Sequence, residues 1–397
     1  MKTAFVTICV AAMLLASGAK AQDITITWQV SDKNIGTGYL PKLASDGQNS
    51  VVTIDQINEG TKRTYRSLFS GVSAFQSQTG IIDAASVAWA GGWDFLHSPP
   101  QKTHQVGLAP SIALAFQTAY PNYDTAIEVH QGAQHKDGSL WYQLGSSAPP
   151  FDDIVWSHAD HYGKGYNATV AADLNQESGT TTTVVEVHEE SEGLSPLWYK
   201  VGVLTLGSSP SIVWGPTTEI NSGTNQGVYP TVSVANNLAV LVAEGTEGAL
   251  WYAIGVVDPT TFTITWTDPI PYGGAGGGYN PTVSVYGDGT SAYGIGKGRV
   301  VVEAHQLAPD AGSLVYSAGL LTPGAGGSAP TSISWSTSVN NFYANGCYPS
   351  IALSFDGSTP ANSGNGKTSN LSLTETHETE CGTAPIDYSF GYLVSTP

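Results

Sequence analysis

Four copies of a Glu-x-His pattern carry most of the chemistry this 397-residue chain could perform: Glu128/His130, Glu186/His188, Glu303/His305 and Glu375/His377. Each copy lies in a short run rich in Val, Ile and Thr, which reads as a β-strand. A side-chain period of two then puts the carboxylate and the imidazole on one face. Such a pair could shuttle protons, ligate a metal or hydrogen-bond sugar hydroxyls. Two ligands per strand are too few for zinc without convergence from elsewhere. Two readings remain. In the first, Glu, His, a recurrent Tyr hydroxyl and a Trp indole N–H satisfy one another in a buried network. In the second, each pair belongs to a polar pocket with aromatic walls, supplied by Trp141/Tyr142, Trp198/Tyr199 and Trp251/Tyr252. The aligned positions are Thr53/Asp55 and Leu241/Ala243 in the two remaining copies. Chemistry that needs every copy is thereby excluded.

Other constellations are weaker. His158-Ala159-Asp160-His161 matches no strong metal spacing and reads as an exposed loop, as do His97 and His104. The only arginines are Arg63, Arg66 and Arg299, too few for a multi-arginine carboxylate clamp of the sialidase type. Other glycosidases need two carboxyl groups roughly 5–10 Å apart. Of the runs expected to line a central axis, Ser111–Leu114, Thr231–Val234, Thr282–Val285 and Ser350–Leu353 lack carboxylates, and Asp46 and Asp173 are the only candidates near strand ends. No Gly-x-Ser-x-Gly elbow, phosphate-binding loop or dinucleotide fingerprint occurs. No catalytic residue is assigned. No calcium loop is present either; no cofactor is expected, with Ca²⁺ on clustered carboxylates as the alternative.

The elements that position these residues recur. One unit runs Val184–His188, Leu197–Gly202, Ser211–Trp214 and Tyr229–Val234, four short β-type runs separated by Gly, Ser, Pro and Asn. Pro-Ser/Thr-Val/Ile or a variant begins at Pro41, Pro110, Ala168, Pro230, Pro281 and Pro349. A Trp ends a β-rich run at Trp28, Trp89, Trp156, Trp214, Trp266 and Trp335. Tyr-x-x-Gly appears at Tyr142, Tyr199, Tyr252, Tyr316 and Tyr388, while Tyr65 in the first unit lacks the Gly. Spacings of 51 to 69 residues between the Pro markers suit four-stranded propeller blades with variable loops.

The ends of the chain predict closure. The last unit stops at Pro397 without its Trp strand, and Ile24–Trp28 supplies that piece near the start; residues 349–397 and 22–40 together make 68, one repeat. The expectation is a single domain, residues 22–397, forming a six-bladed β-propeller of four-stranded blades closed by the N-terminal strand joining the last blade. A ring needs no polar caps, unlike a linear solenoid. Cys347 and Cys381 flank the first two strands of the closing unit, within reach of a disulfide if those strands form a hairpin. Closing that loop is worth roughly 3–4 kcal/mol in the chain-entropy picture.

Residues 1–21 read as a signal peptide: Lys2, an apolar run from Phe5 to Ala16, and Ala19-Lys20-Ala21 before the cut. A secreted or periplasmic monomer with no membrane span follows as the expectation. Without Lys2 and Lys20, 12 basic residues face 32 acidic ones, a net charge of −20. Nucleic acid and anionic membrane surfaces are poor partners for such a protein. Val-Glu-Val-His-Glu, Leu-Trp-Tyr-x-Val-Gly, Ile-Val-Trp and Tyr-Pro-Thr-Val together resemble the repeats of secreted bacterial propellers, some lectin-like and some appended to extracellular hydrolases. The resemblance spans nearly all of residues 22–397. It implies a non-catalytic module that binds a glycan or another cell-surface ligand, with the Glu-x-His seams as candidate sites. The alternatives are a glycosidase-like hydrolase with its site in one loop (89–109 or 156–166) or the central funnel, and a protein-binding scaffold.

Overall fold

The structure, a computed structural model, describes most of residues 23–396. Outside the described set lie 1–22, 38, 46–49, 59–72, 84–85, 90–93, 96, 99–102, 105, 117–123, 133–137, 148–153, 174–179, 221–225, 273–276, 288–297, 310–311, 322–327, 337–340, 356–366, 382–384 and 397. The signal segment and Asp46 therefore fall beyond it.

The described chain is a β-propeller built almost wholly of antiparallel strands. The third sequence unit shows the pattern most plainly. Its inner strand Tyr166–Ala172, second strand Thr181–Glu189, third strand Ser195–Thr205 and outer strand Ser211–Trp214 pair in chain order. The second strand is buried along almost its whole length, as a strand with a neighbouring sheet on each face must be. Outer strands alternate instead: Val213 is exposed, whereas Trp214 turns inward.

The inner strands of successive units pack side by side, and Tyr39–Ser45 packs against both Val106–Phe116 and Asn341–Phe355. An inner strand has one unpaired edge, which must find acceptors for its N–H groups. Serine hydroxyls supply them. Ser111 Oγ accepts from Val170 N at 3.2 Å, Ser233 from Val285 N at 3.0 Å, Ser284 from Leu353 N at 2.9 Å and Ser350 from Leu43 N at 2.9 Å. The N-terminal strand Asp23–Thr37 pairs with the C-terminal strand Pro385–Thr396, placing Trp28 opposite Gly391. Cys347 and Cys381 form the expected disulfide, with Cα atoms 5.2 Å apart.

Each inner strand is entered through the same irregularity. Leu40, Ala109, Asn167, Tyr229, Asn280 and Tyr348, each just before the Pro (or Ala168) marker, have φ between 48° and 53°. The strand register slips at each of these points, the mark of a β-bulge. Two residues earlier stands a glycine: Gly38, Gly107, Gly165, Gly227, Gly278 or Gly346. A Cβ on Gly165 would lie 2.2 Å from His188 Cδ2, and one on Gly278 would lie 2.2 Å from His305 Cδ2. In the unit where Ala243 replaces the histidine, a Cβ on Gly227 would meet Ala243 Cβ at 3.0 Å. Gly165→Ala is therefore expected to cost about 2–3 kcal/mol by overpacking. Gly227→Ala should cost clearly less, and urea unfolding of both variants checks the order.

Candidate functional site

The four Glu-x-His pairs lie at the seams between successive sheets, at 0–2% exposure. His130, His188 and His305 each set Nδ1 2.9 Å from the carboxylate two residues earlier, and His377 does so at 3.1 Å. Burial raises the Glu128 and Glu375 carboxyls, against the pull of their own histidines. A tyrosine from the preceding unit reaches across. Tyr272 donates to Glu303 Oε1 at 3.0 Å and Tyr343 to Glu375 Oε1 at 3.3 Å. Tyr162 faces Glu186 in the same way without closing a well-formed bond; burial first, then that carboxylate, holds its phenol well above the ordinary range. These tyrosines stack on the outer tryptophans: Tyr162 on Trp214 at 5.4 Å, Tyr272 on Trp335 at 5.7 Å and Tyr343 on Trp28 at 5.3 Å. The Tyr-x-x-Gly hydroxyls bond the next outer strand, as Tyr316 accepts from Ile26 N at 2.9 Å and Tyr252 from Ile333 N at 3.2 Å. The indole N–H groups of Trp214, Trp266 and Trp335 depart from the expected network and find no partner among the described residues.

One seam decides what this arrangement is for. Ile220, Leu241, Ala243 and Ala253 stand where Tyr162, Glu186, His188 and Lys200 stand one seam earlier, with Leu241 opposite Ala253 as Glu186 is opposite Lys200. All four belong to one apolar cluster with Tyr199 and Trp266. The polar set has been exchanged as a block for a hydrophobic one, which a buried, self-satisfied network permits. Tyr199 and Trp251 are buried, and Tyr142 sits against Trp214 at 6.0 Å. Trp141 and Trp198 are half-buried, beside the histidines. The remaining candidates are absorbed too. Asp173 accepts from the N–H groups of Asn236 and Asn237 at 2.6 and 2.7 Å. His158 bonds the Ala159 carbonyl at 2.7 Å, and no metal-holding group occurs among the described residues. His97 pairs with His104 in a short ladder rather than lying in a loop.

The inner strands instead define a central channel, lined by Leu43–Ser45, Ile112–Leu114, Val170–Ala172, Val232–Ser233, Val283–Ser284 and Ile351–Leu353. Its volume for water is about 60 Å³, room for a few water molecules and too little for a sugar ring. A ligand would have to sit at a mouth. The lining residues occupy matching positions along each strand, so the six bulges gather at one end. Tyr39, Tyr166, Tyr229, Tyr279 and Tyr348 stand there, all half-buried.

Behind the tyrosines runs a row of Glu and Gln, each one residue past a Glu-x-His position: Gln131, Glu189, Glu244, Gln306 and Glu378. Glu378, Glu189 and Gln306 latch one unit to the next through the bulges. Glu378 Oε1 accepts from Leu40 N at 2.7 Å, Glu189 from Tyr229 N at 2.8 Å and Gln306 from Tyr348 N at 2.9 Å. Glu189 differs from its siblings. Asn167 Nδ2 also donates to its Oε1 at 2.9 Å, yet Oε2 is buried without a partner. Burial raises the carboxyl to about 8, and the charge of exposed Glu192 adds to the push. The exposed turn 190–194, whose Gly193 N–H faces the carboxyl, separates it from water. Sequence reading missed this mouth, although Gly-x-x-Pro and the Glu/Gln after each Glu-x-His were both visible.

No protein-family description matches the chain, and no curated protein does. Among solved structures, the chain is similar to a neuraminidase-like protein from A/bat/Guatemala/164/2009, at 8% identity and TM-score 0.47, covering 94% of each chain. It is also similar to an α-L-arabinofuranosidase from Fusarium graminearum, at 12% identity and TM-score 0.47, covering 91% of this chain and 97% of that one. A third is a glycoside hydrolase from Xanthomonas citri solved with xylotriose, at 13% identity and TM-score 0.42, covering 77% and 92%. At these values the likeness assigns no activity to the chain.

The expectation of a non-catalytic module binding glycan through its seams is thus corrected. Glu128, His130, Glu186, His188, Glu303, His305, Glu375 and His377 are sealed between sheets; each histidine Nδ1 bonds its own glutamate, tyrosines reach Glu303 and Glu375, and His305 Nε2 is buried without a partner among the described residues. A ligand could reach them only by parting the sheets.

Proposed function

We propose that the chain is an exported hydrolase of the glycosidase type, working at the tyrosine-lined mouth of its central channel. The observation that carries this reading is Glu189, a carboxyl that burial raises to about 8, its second oxygen buried with the Gly193 N–H facing it. A raised carboxyl beside a second, water-exposed one is how a site obtains a proton donor and a base from the same residue type. Glu189 is the donor to the leaving oxygen, Glu192 the second carboxylate. Tyr229 and its half-buried counterparts offer sugar rings flat apolar surfaces. Substrate must reach Glu189 past the turn 190–194, which carries Glu192 itself.

The site rests on an architecture we read as six four-stranded blades, closed where the N-terminal strand completes the last sheet. The pairing of Trp28 with Gly391, the latch from Glu378 to Leu40 and the packing of the first inner strand on the last support that reading. Export through residues 1–21 and a monomeric state belong to the same proposal.

The test is turnover of chromogenic glycosides, arabinofuranosides and xylosides included, by residues 22–397 between pH 5 and 9. Hydrolysis should fall on the alkaline side near pH 8, as Glu189 loses its proton. Glu192→Gln should lower kcat/KM at least 100-fold with the far-UV spectrum unchanged. Absence of turnover across the panel, or full activity in that variant, would sink the reading.

A further inference from the structure

Each seam histidine has a cross-strand neighbour on the third strand of its own sheet. That neighbour is Trp141 for His130, Trp198 for His188 and Val315 for His305, but Asp387 for His377. The exchange surrounds His377 with charge. Its Nδ1 lies 3.1 Å from Glu375, as in the other seams, while its Nε2 lies 3.9 Å from Asp32 on the N-terminal strand. His305 Nε2, by contrast, is buried without a partner among the described residues. A carboxylate at each nitrogen favours the charged imidazole. Burial pulls His377 down, but Glu375, Asp32 and Asp387 outweigh it and leave the group above its ordinary value of 6.5. Tyr343, from the strand on the other side, spends its hydroxyl on Glu375. Lys33, beside Asp32, lies over the Tyr388 ring at 6.0 Å.

The strand that Asp32 belongs to has two unlike halves. From Asp23 to Trp28 it pairs residue for residue with the last strand, and Ile24 and Ile26 are buried. Beyond Trp28 the register slips three times before Thr37, and Asp32 itself has φ 51°. Side chains take over where the ladder lapses. Ser389 Oγ accepts from Asp32 N at 3.3 Å, Asn34 Nδ2 donates to Asp387 Oδ1 at 3.2 Å, and the Asp32 carboxylate faces His377. Once the imidazole is neutral, Glu375, Asp387 and Asp32 are left as like charges without the cation between them. Burial, the largest cause, raises Glu375 and Asp387 as well, so these groups also favour the proton-rich state. For a histidine raised on folding, the stabilisation is complete below 6.5 and is lost as pH climbs through the folded value.

We infer that His377 is a pH-sensitive clasp on the second half of the N-terminal strand, residues 29–37, closed while the imidazole is charged and released when it is neutral. The clasp does not depend on the hydrolase reading. Hydrogen exchange of residues 22–397 at pH 6 and pH 9 tests it, with each rate divided by the chemical exchange rate at that pH. Protection of 29–37 should fall about 10-fold or more relative to 23–28 between the two conditions. Asp32 is 52% exposed, so Asp32→Asn leaves the core untouched while removing the charge that faces Nε2. In that variant the selective fall should largely disappear. Asp387→Trp, which restores the residue of Trp141 and Trp198, should flatten it too; if that variant does not fold, Asp32→Asn decides alone. No fall at pH 9 overturns the inference. A fall shared equally by the two halves overturns it as well, because the whole sheet would then be loosening. So does a selective fall that survives Asp32→Asn, since the broken ladder and not the histidine would be its cause.

Discussion

Glu189→Gln should make the protein more stable and less active at once. In the folded chain the Glu189 carboxyl titrates at about 8, against an ordinary value of 4.5 once unfolded. Between those pH values the folded state holds a proton that the unfolded chain has released, so stability falls as pH rises through this window and levels off above it. The cost above pH 8 is on the order of 5 kcal/mol. Glutamine keeps the acceptor for Tyr229 N and Asn167 and cannot ionise. Its amide can also donate to the Ser191 carbonyl, as Gln306 Nε2 does to the Ala308 carbonyl at 3.2 Å. Calorimetric unfolding should show the variant melting higher than the wild type at pH 8, with the gap closing toward pH 4.5. Turnover should fall at least 100-fold, since the proton donor is gone. A variant that is no more stable at pH 8 would mean that the carboxyl is not burdened as described. A more stable variant with full activity would make Glu189 a latch like its siblings and nothing else.

The seams supply the second large effect. Removing one member of a buried polar set strands the others, so Glu186→Ala leaves His188, Tyr162 and Lys200 without their carboxylate. A loss of about 3–5 kcal/mol is expected. Replacing the whole set, as Tyr162→Ile, Glu186→Leu, His188→Ala and Lys200→Ala together, copies the neighbouring apolar seam of Ile220, Leu241, Ala243 and Ala253. Most of the lost stability should return, because a buried ionic group and a hydrophobic one of similar volume are often equivalent in net terms. Urea midpoints of the single and the fourfold variant measure this directly. If the fourfold variant is weaker than the single one, the two seams are not interchangeable and the histidines do something beyond packing.

The repeat was legible because each unit must bury the same faces. Trp214 needs Gly202 opposite, a Cβ there meeting its ring at 2.8 Å, and Trp28 likewise stands opposite Gly391. Two markers of that kind, spaced alike along the chain, define strands and their partners by local sterics, and the leftover Ile24–Trp28 piece pointed to its pairing with the last strand. The cysteines were legible for the same reason: a hairpin places positions 347 and 381 together wherever the hairpin itself lies.

The site was another matter. Strand periodicity put Glu186 and His188 on one face, but whether that face meets water depends on how closely the next sheet packs, which no spacing along one strand encodes. Glu189 looks like a minor variant of its own repeat column. Only burial around Glu189 turns an ordinary glutamate into an acid at neutral pH, because desolvation is a property of everything that surrounds a group and not of its neighbours along the chain.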